Sequence, residues 1–277
     1  MVGQEKNIKW VNTAIENDKV PKSIVIIGPK GSGKRTMAKF IAQKLNCVYA
    51  PSDIKVDAVR QVIDTAYKTT DNVLYCFENA DNMKNAAKNA LLKVTEEAPT
   101  YAWFVMTLMD DSTLLPTIKS RSFVMNMQPY TAEDKRLILS SLDTERKLTP
   151  EQRSYFIEMA NTPYELQKLF EYGQDFLDYV EMVADNISVV ESANAFKSGN
   201  KLALKSNDEG YDLSLFMLAF VQLCIKRITE GKSPIKYASG VPCTNWAYRD
   251  SMKLGVNKQQ LFDWWVFKLR SVWYDFD

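Results

Sequence analysis

The chain has 277 residues, 46% hydrophobic and 25% charged, an ordinary globular composition with enough chain for about two domains at roughly 150 residues each. Lys and Arg total 35 against 34 Asp and Glu, and the net charge of +1 excludes a uniformly basic nucleic-acid coat, so any such contact has to come from a local patch. There is no histidine, which removes Ser-His-Asp triads, Cys-His dyads and histidine-ligated metal sites together and leaves chemistry to Lys, Arg, carboxylates, hydroxyls and backbone.

In chain order, the apolar run Ser23–Ile27 reads as a strand, followed by a helical pattern from Gly33 to Leu45. A second strand spans Val73–Phe77, then comes another helical stretch, then a third strand over Ala102–Thr107. Strand, helix, strand with apolar β-rich runs predicts a parallel sheet with helices on both faces. After Gln128-Pro129 the strand signals stop. An acidic helical region covers about 131 to 172, and a second begins near Asp175. Two loops interrupt the latter, a polar stretch from Lys205 to Gly210 and a Pro, Ser and Gly-rich segment from Gly231 to Cys243.

The expected fold class is therefore α/β followed by all-α, divided into 1–128, a small helical region at 129–172 and a larger one at 173–277. Charge follows the same division: residues 1 to 60 carry 11 basic and 5 acidic groups, whereas 129 to 200 carry 7 basic and 13 acidic. Cys47, Cys76, Cys224 and Cys243 form no CxxC pair and read as buried free thiols. No apolar run approaches the roughly 18 to 20 residues of a membrane span, and the N-terminus lacks a secretory pattern, so a cytoplasmic protein without membrane contact is expected.

Directly after the first strand stands Gly28-Pro29-Lys30-Gly31-Ser32-Gly33-Lys34-Arg35-Thr36. Strand, glycine-rich turn, lysine and helix are the context of a phosphate-binding P-loop, whose glycines let successive N–H groups close around phosphate oxygens at a helix N-terminus. Lys34 would reach the β and γ phosphates. The next residue should be a hydroxyl that binds magnesium but is Arg35, and Thr36 is rotated from that position by about 100° on a helix. The second strand ends in Glu78-Asn79-Ala80-Asp81, placing carboxylates where a P-loop protein holds magnesium and activates water. The following helix carries Ala87, Ala90, Leu91 and Val94 on one face and should pack on the sheet.

These motifs, with Val2-Gly3-Gln4, the run Asn89 to Lys93 followed by Glu96-Glu97-Ala98-Pro99, and Leu114 to Ser122 containing Ser120-Arg121-Ser122, resemble the clamp-loader branch of the AAA+ ATPases. Within it they are most similar to the delta-prime subunits of bacterial DNA polymerase III, in a bacterial or phage-encoded version. The resemblance covers residues 1 to about 130 in order, with the lid continuing to about 172. It implies a P-loop AAA+ domain at 1–128, a helical lid at 129–172 and a helical collar for oligomerisation at 173–277.

Where active members end the second strand in Asp-Glu, this chain has Glu78 and Asn79; a carboxamide orients water but is no base, and general-base catalysis contributes about 10² to 10⁴-fold. The lid arginine of the family falls on Glu165, a carboxylate expected to repel a γ-phosphate. Arg35, Asn79 and Glu165 together imply impaired or absent ATP hydrolysis, with ATP or ADP held by Gly28 to Thr36 and little support for magnesium. Arg121 matches the arginine that the family presents to a neighbouring subunit's nucleotide, worth about 10³ to 10⁵ in rate when supplied in trans. The four-cysteine zinc module of many relatives is missing, since only Cys47 and Cys76 lie between Lys34 and Glu78.

The implied partners are other loader subunits in a hetero-oligomeric ring, a sliding clamp, and primer-template DNA bound through its phosphates. Lys84 and Lys88, one helical turn apart, are candidates for that backbone contact, or plain solvated lysines. Asp57 and Arg60 read equally as interface groups or a solvated helix face. Phe216, Phe220, Trp246, Tyr248, Phe262, Trp264, Trp265, Phe267 and Trp273 are expected in the core, although adjacent Trp264 and Trp265 require a helix covered on two sides, for which a neighbouring subunit would serve. Two alternatives remain at this level: an active ATP-hydrolysing loader subunit, and a nucleotide-binding scaffold outside any loader.

Overall fold

A computed structural model describes residues 1–187, 201–204, 209–253 and 255–273. In chain order the elements are α1 (Glu5–Glu16), β1 (Ser23–Ile27), α2 (Lys34–Lys44), β2 (Val48–Ser52), α3 (Val56–Ala66), β3 (Val73–Phe77), α4 (Asn85–Glu96), β4 (Ala102–Leu108), α5 (Pro116–Arg121) and β5 (Phe123–Asn126). There follow α6 (Ala132–Leu142), α7 (Pro150–Met159), α8 (Pro163–Asn186), β6 (Leu202–Ala203), β7 (Tyr211–Asp212), α9 (Leu213–Thr229), α10 (Pro234–Ser251) and α11 (Lys258–Trp273). They form two compact units, Met1–Thr144 with Asn161–Leu166, and Glu145–Ala160 with Gln167–Asp277. The small helical region read from the sequence at 129–172 is shared between them.

The first unit is built on a parallel sheet of order β2-β3-β4-β1-β5. Successive strand side chains point to opposite faces, and here both faces are apolar. Val25, Tyr75, Phe77, Phe104 and Met106 meet Val59 of α3, Ala87, Leu91 and Val94 of α4 and Ile118 of α5. Ile24, Ile26, Leu74, Cys76 and Val105 meet Val11 of α1 and Met37, Ala38 and Ile41 of α2 on the other side. The predicted strands and the apolar face of α4 are therefore found, and the fold is the α/β-then-helical one expected.

The N-terminal Gln4 is fully buried because its amide spans the exit of β5, donating from Nε2 to the Gln128 carbonyl at 2.9 Å and accepting from the Gln128 N–H at 3.0 Å. Asn7 adds bonds to Gln4 Oε1 and to the Asn126 carbonyl. These backbone contacts account for the presence of Val2-Gly3-Gln4 ahead of α1.

In the second unit α9 is apolar all round, with Leu213, Phe216, Met217, Phe220 and Cys224 buried, and it packs on α10 and α11. The loop expected from Gly231 to Cys243 is corrected here. Only Gly231, Lys232 and Ser233 lie outside a helix, and α10 starts at Pro234, where proline's missing N–H costs nothing, and runs through Pro242. Packing overrides local propensity: a Cβ on Gly240 would lie 2.8 Å from Leu269 Cδ1 and 2.9 Å from Trp273 Nε1, so glycine is what allows α11 to approach. Of the Lys205 to Gly210 loop, residues 205 to 208 lie outside the described residues.

Trp265 Nε1 donates to Thr244 Oγ1 at 3.0 Å, and that hydroxyl donates to the Gly240 carbonyl at 2.9 Å, all of it buried. Phe216, Phe220, Phe262, Trp265 and Trp273 are core, as expected. Trp246, Trp264 and Phe267 instead are exposed, the two indoles lying against each other at 4.3 Å. Cys76 and Cys224 are buried, Cys47 and Cys243 half-buried, and all four are free thiols. Among the described residues no helix is long and apolar enough to cross a membrane.

Because Thr244 satisfies a buried indole N–H, Thr244→Val should lower stability by about 1–3 kcal/mol, the cost of an orphaned buried donor. An unchanged urea midpoint, followed by tryptophan emission, would show that this bond carries no stability.

Candidate nucleotide site

Strands β1, β3 and β4 end side by side, with Ile27 opposite Leu108 and Phe77 opposite Met106. The turns that leave them converge on one edge, the usual ligand edge of a parallel sheet. From β1 the chain enters Gly28 to Lys34. Gly31 and Gly33 take φ of +80° and +89°, a left-handed backbone that only glycine adopts freely, and Gly33 begins α2. Lys34 is buried and donates from Nζ to the carbonyls of Gly28 at 2.6 Å and Pro29 at 2.9 Å. Burial lowers its pKa, against an opposing attraction from Asp81. Ser32 Oγ is buried without a hydrogen-bond partner. Left-handed glycines, a helix N-terminus, a lysine and an unpaired hydroxyl form a cradle that fits phosphate oxygens.

Two tyrosines close around this loop. Tyr130 donates to the Ser32 carbonyl at 3.0 Å, and Tyr164, at the start of α8, packs on Gly31 so tightly that a Cβ there would meet Tyr164 Cβ at 2.3 Å. The Lys30 ammonium lies 4.9 Å from the Tyr164 ring centre. The assignment of Glu165 as the group facing the phosphates is corrected. Its carboxylate turns back to accept the Asn161 N–H at 2.7 Å, the N-terminal capping role of an acid at the third helical position, and the loop is faced by Tyr164 instead. A cavity of about 180 Å³ beside the loop is lined by Met1, Val2, Gly33, Thr36, Tyr130, Ile138 and Pro163. Thr36 thus faces this cavity rather than the end of β3.

At the end of β3, Arg35 holds Glu78 with two hydrogen bonds, from Nε to Oε1 at 2.6 Å and from Nη2 to Oε2. Tyr49 on β2 donates a third, to Oε1 at 3.0 Å. Burial pushes the Glu78 carboxyl up, but the bonds from Arg35 and Tyr49 outweigh it and hold the pKa below its usual value. Asp81 is engaged elsewhere, accepting the Met109 N–H at the exit of β4. Asn79 is exposed in the left-handed region at φ +52°, its N–H on Thr107 Oγ1 at 3.1 Å. The family's magnesium does not fit these residues: a guanidinium stands in place of the ligand hydroxyl, and both acids of the segment are already held. Among the described residues no cluster of three metal-ligating side chains occurs.

Arg121 ends α5, donating from Nη1 to the Thr117 carbonyl at 3.1 Å and pairing from Nη2 with Glu96 Oε1 at 2.8 Å. Its neighbour Ser122 meets Ser23 hydroxyl to hydroxyl at 2.7 Å, at the N-terminal end of β1. The phosphate loop leaves the opposite end of that strand. Five residues at roughly 3.3 Å each separate the two ends. Arg121 accordingly sits on the other edge of the sheet from its own P-loop.

The two DNA candidates part company. Lys84 is exposed, whereas Lys88 is buried with its ammonium on the Thr113 carbonyl, so the helix does not present them as a pair and Lys88 is withdrawn from the phosphate role. Asp57 and Arg60 are both exposed on α3. Sequence reasoning missed Tyr49, Thr107, Tyr130 and Tyr164. Only Tyr164 carried a local signal, since Thr162-Pro163 marks a helix start and places it on the first turn.

The family model described as DNA polymerase III, delta subunit, matches residues 49–131. The DNA polymerase III subunit gamma/tau of Mycoplasma genitalium is 24% identical over 70% of this chain and 38% of its own. The chain spans half or less of the length of the curated relatives it matches. A solved DNA polymerase III gamma subunit-related protein of Thermotoga maritima superposes with a TM-score of 0.57 at 15% identity, covering 94% of this chain and 98% of that one. The Holliday junction branch migration motor RuvB of the same organism superposes at 0.56 and 18% identity, over 95% and 85%. At these identities the structures speak for the fold, and the relatives' names speak for the lineage. Over part of its length the chain is thus similar to DNA polymerase III subunits, and its fold is that of the two solved proteins.

Proposed function

We propose that the chain is a delta-prime-like subunit of a sliding-clamp loader in DNA replication, one that holds a nucleotide without hydrolysing it and supplies Arg121 to a neighbouring ATPase subunit. The observation that carries this is the Arg35–Glu78 pair, which joins the position of a magnesium ligand to the position of a metal-binding carboxylate. With Asn79 in the place of the base, neither metal-assisted positioning of the phosphates nor deprotonation of water has a side chain to perform it.

Arg121 supports the second half. It lies on the sheet edge opposite its own phosphate loop, it is half-exposed, and Glu96 holds it ready at the end of α4. Charge delivered there would act on a nucleotide bound to another subunit, where it stabilises the transferring phosphoryl group. In this reading the nucleotide is ATP or ADP, with its base in the cavity beside Gly33 and Thr36, and the partners are other loader subunits, the sliding clamp and primer-template DNA. Residues 129–172 serve as the lid, and 173–277 as the collar, which meets a neighbour through exposed Trp246, Trp264 and Phe267. The setting is the cytoplasm.

A second reading, an active ATP-hydrolysing subunit, is favoured by the gamma and gamma/tau names of the relatives. It would require Glu78 to leave Arg35 and Tyr49 and bind metal.

In a loader reconstituted with gamma/tau-type partners, Arg121→Ala should leave this chain folded and slow hydrolysis at the adjoining site by about 10³-fold or more. An unchanged rate of the complex would remove the in-trans role. Exposed Lys84 and buried Lys88 should also separate. Lys84→Ala is expected to reduce the salt slope of primed-DNA binding by about one ion, and Lys88→Ala to lower the unfolding midpoint. Equal salt slopes for the Lys84 variant and the parent would exclude a phosphate contact at Lys84.

A further inference from the structure

We propose that this P-loop binds nucleoside phosphates without a divalent cation, the Arg35 guanidinium, fixed by Glu78 and Tyr49, providing the positive charge that a bound metal provides in related sites. The proposal rests on the nucleotide-binding part of the function above and goes further in naming the charge that replaces the metal.

Position comes first. Arg35 directly follows the loop lysine on the first turn of α2, and Glu78 directly follows β3, so the pair spans the gap between the phosphate cradle and the neighbouring strand end. A flexible arginine would be a poor substitute for an ion, because ordering its side chain costs entropy each time a ligand binds. Here that ordering is already done. Two parallel bonds to one carboxylate fix the guanidinium plane, and the Tyr49 hydroxyl fixes the carboxylate from the β2 side.

Orientation follows from the edge used. Glu78 takes the Nε–Nη2 edge, which leaves the Nη1 side of the fork for a phosphate oxygen. The carboxylate is mostly shielded, at 19% side-chain exposure, while the arginine side chain remains open at 65%. The negative end of the pair is thus turned inward and the positive end outward.

Charge closes the case. Lys30, Lys34 and Arg35 stand against Glu78 and Asp81, so the site is net positive before any ion enters. A nucleoside di- or triphosphate would be partly neutralised by these groups and by the N–H groups of α2. A dication arriving at Glu78 would meet the guanidinium at contact distance and would have to break its two bonds. Ser32 Oγ, buried and unpaired in the loop, supplies one further donor to a phosphate oxygen.

The test is a titration of the full chain with fluorescent N-methylanthraniloyl ADP and ATP, in excess EDTA and again in excess magnesium. The expected affinities agree within about twofold, Arg35→Ala weakens binding in EDTA by about tenfold, and the double variant Arg35→Thr with Glu78→Asp binds at least about tenfold more tightly with magnesium than without. Wild-type binding that needs magnesium, or an Arg35→Ala affinity in EDTA equal to the parent's, would overturn the metal-free proposal and leave the nucleotide site standing. No binding of either probe under either condition would overturn both.

Discussion

The parallel register of the central sheet is the constraint on which the rest of the first unit depends. Because β1, β3 and β4 run the same way and end level, the loops that follow them meet, and residues 43 positions apart in sequence come within hydrogen-bond distance. The same register sends Ser122 and Arg121 to the far edge, beside the start of β1. One sheet therefore carries the glycine-rich loop at one edge and Arg121 at the opposite one. Alternating apolar side chains hold that sheet between two helical layers, so neither edge can shift without disturbing both cores.

On the edge that carries the glycine-rich loop, Arg35 and Glu78 act as one. Arg35 without Glu78 would be a loose surface cation, and Glu78 without Arg35 would be a metal-ready acid; paired, each occupies the other. Asn79 next to them takes a left-handed backbone that asparagine tolerates, and its carboxamide is no base. Tyr164 covers Gly31 of the loop with a ring. The result is a glycine-rich cradle beside a carboxylate that is already paired.

Much of this was legible in the sequence. The buried strands β1, β3 and β4 announce themselves as apolar runs, and the glycines of the phosphate loop by spacing. The edge strands β2 and β5 are short and half-exposed, with Pro51 in the former, so their pattern is weak. The departures at Arg35 in the P-loop and at Asn79 after β3 could be read directly, but the fact that Arg35 and Glu78 satisfy each other could not, because nothing local links α2 to β3. Glu165 and Tyr164 show the limit of counting along a helix start: one residue decides which side chain caps and which faces the loop. Lys88 and α10 show another, since burial against Thr113 and the close approach of α11 at Gly240 are tertiary facts. Pro, Ser and Gly between 231 and 243 spelled a loop until packing made it a helix.

Phosphate release from magnesium-ATP by the purified chain, measured beside Lys34→Ala, tests most directly whether the Arg35–Glu78 pair has replaced the hydrolytic metal site. The account predicts that the two proteins are indistinguishable and neither exceeds the rate in buffer. A wild-type turnover that Lys34→Ala abolishes would contradict it.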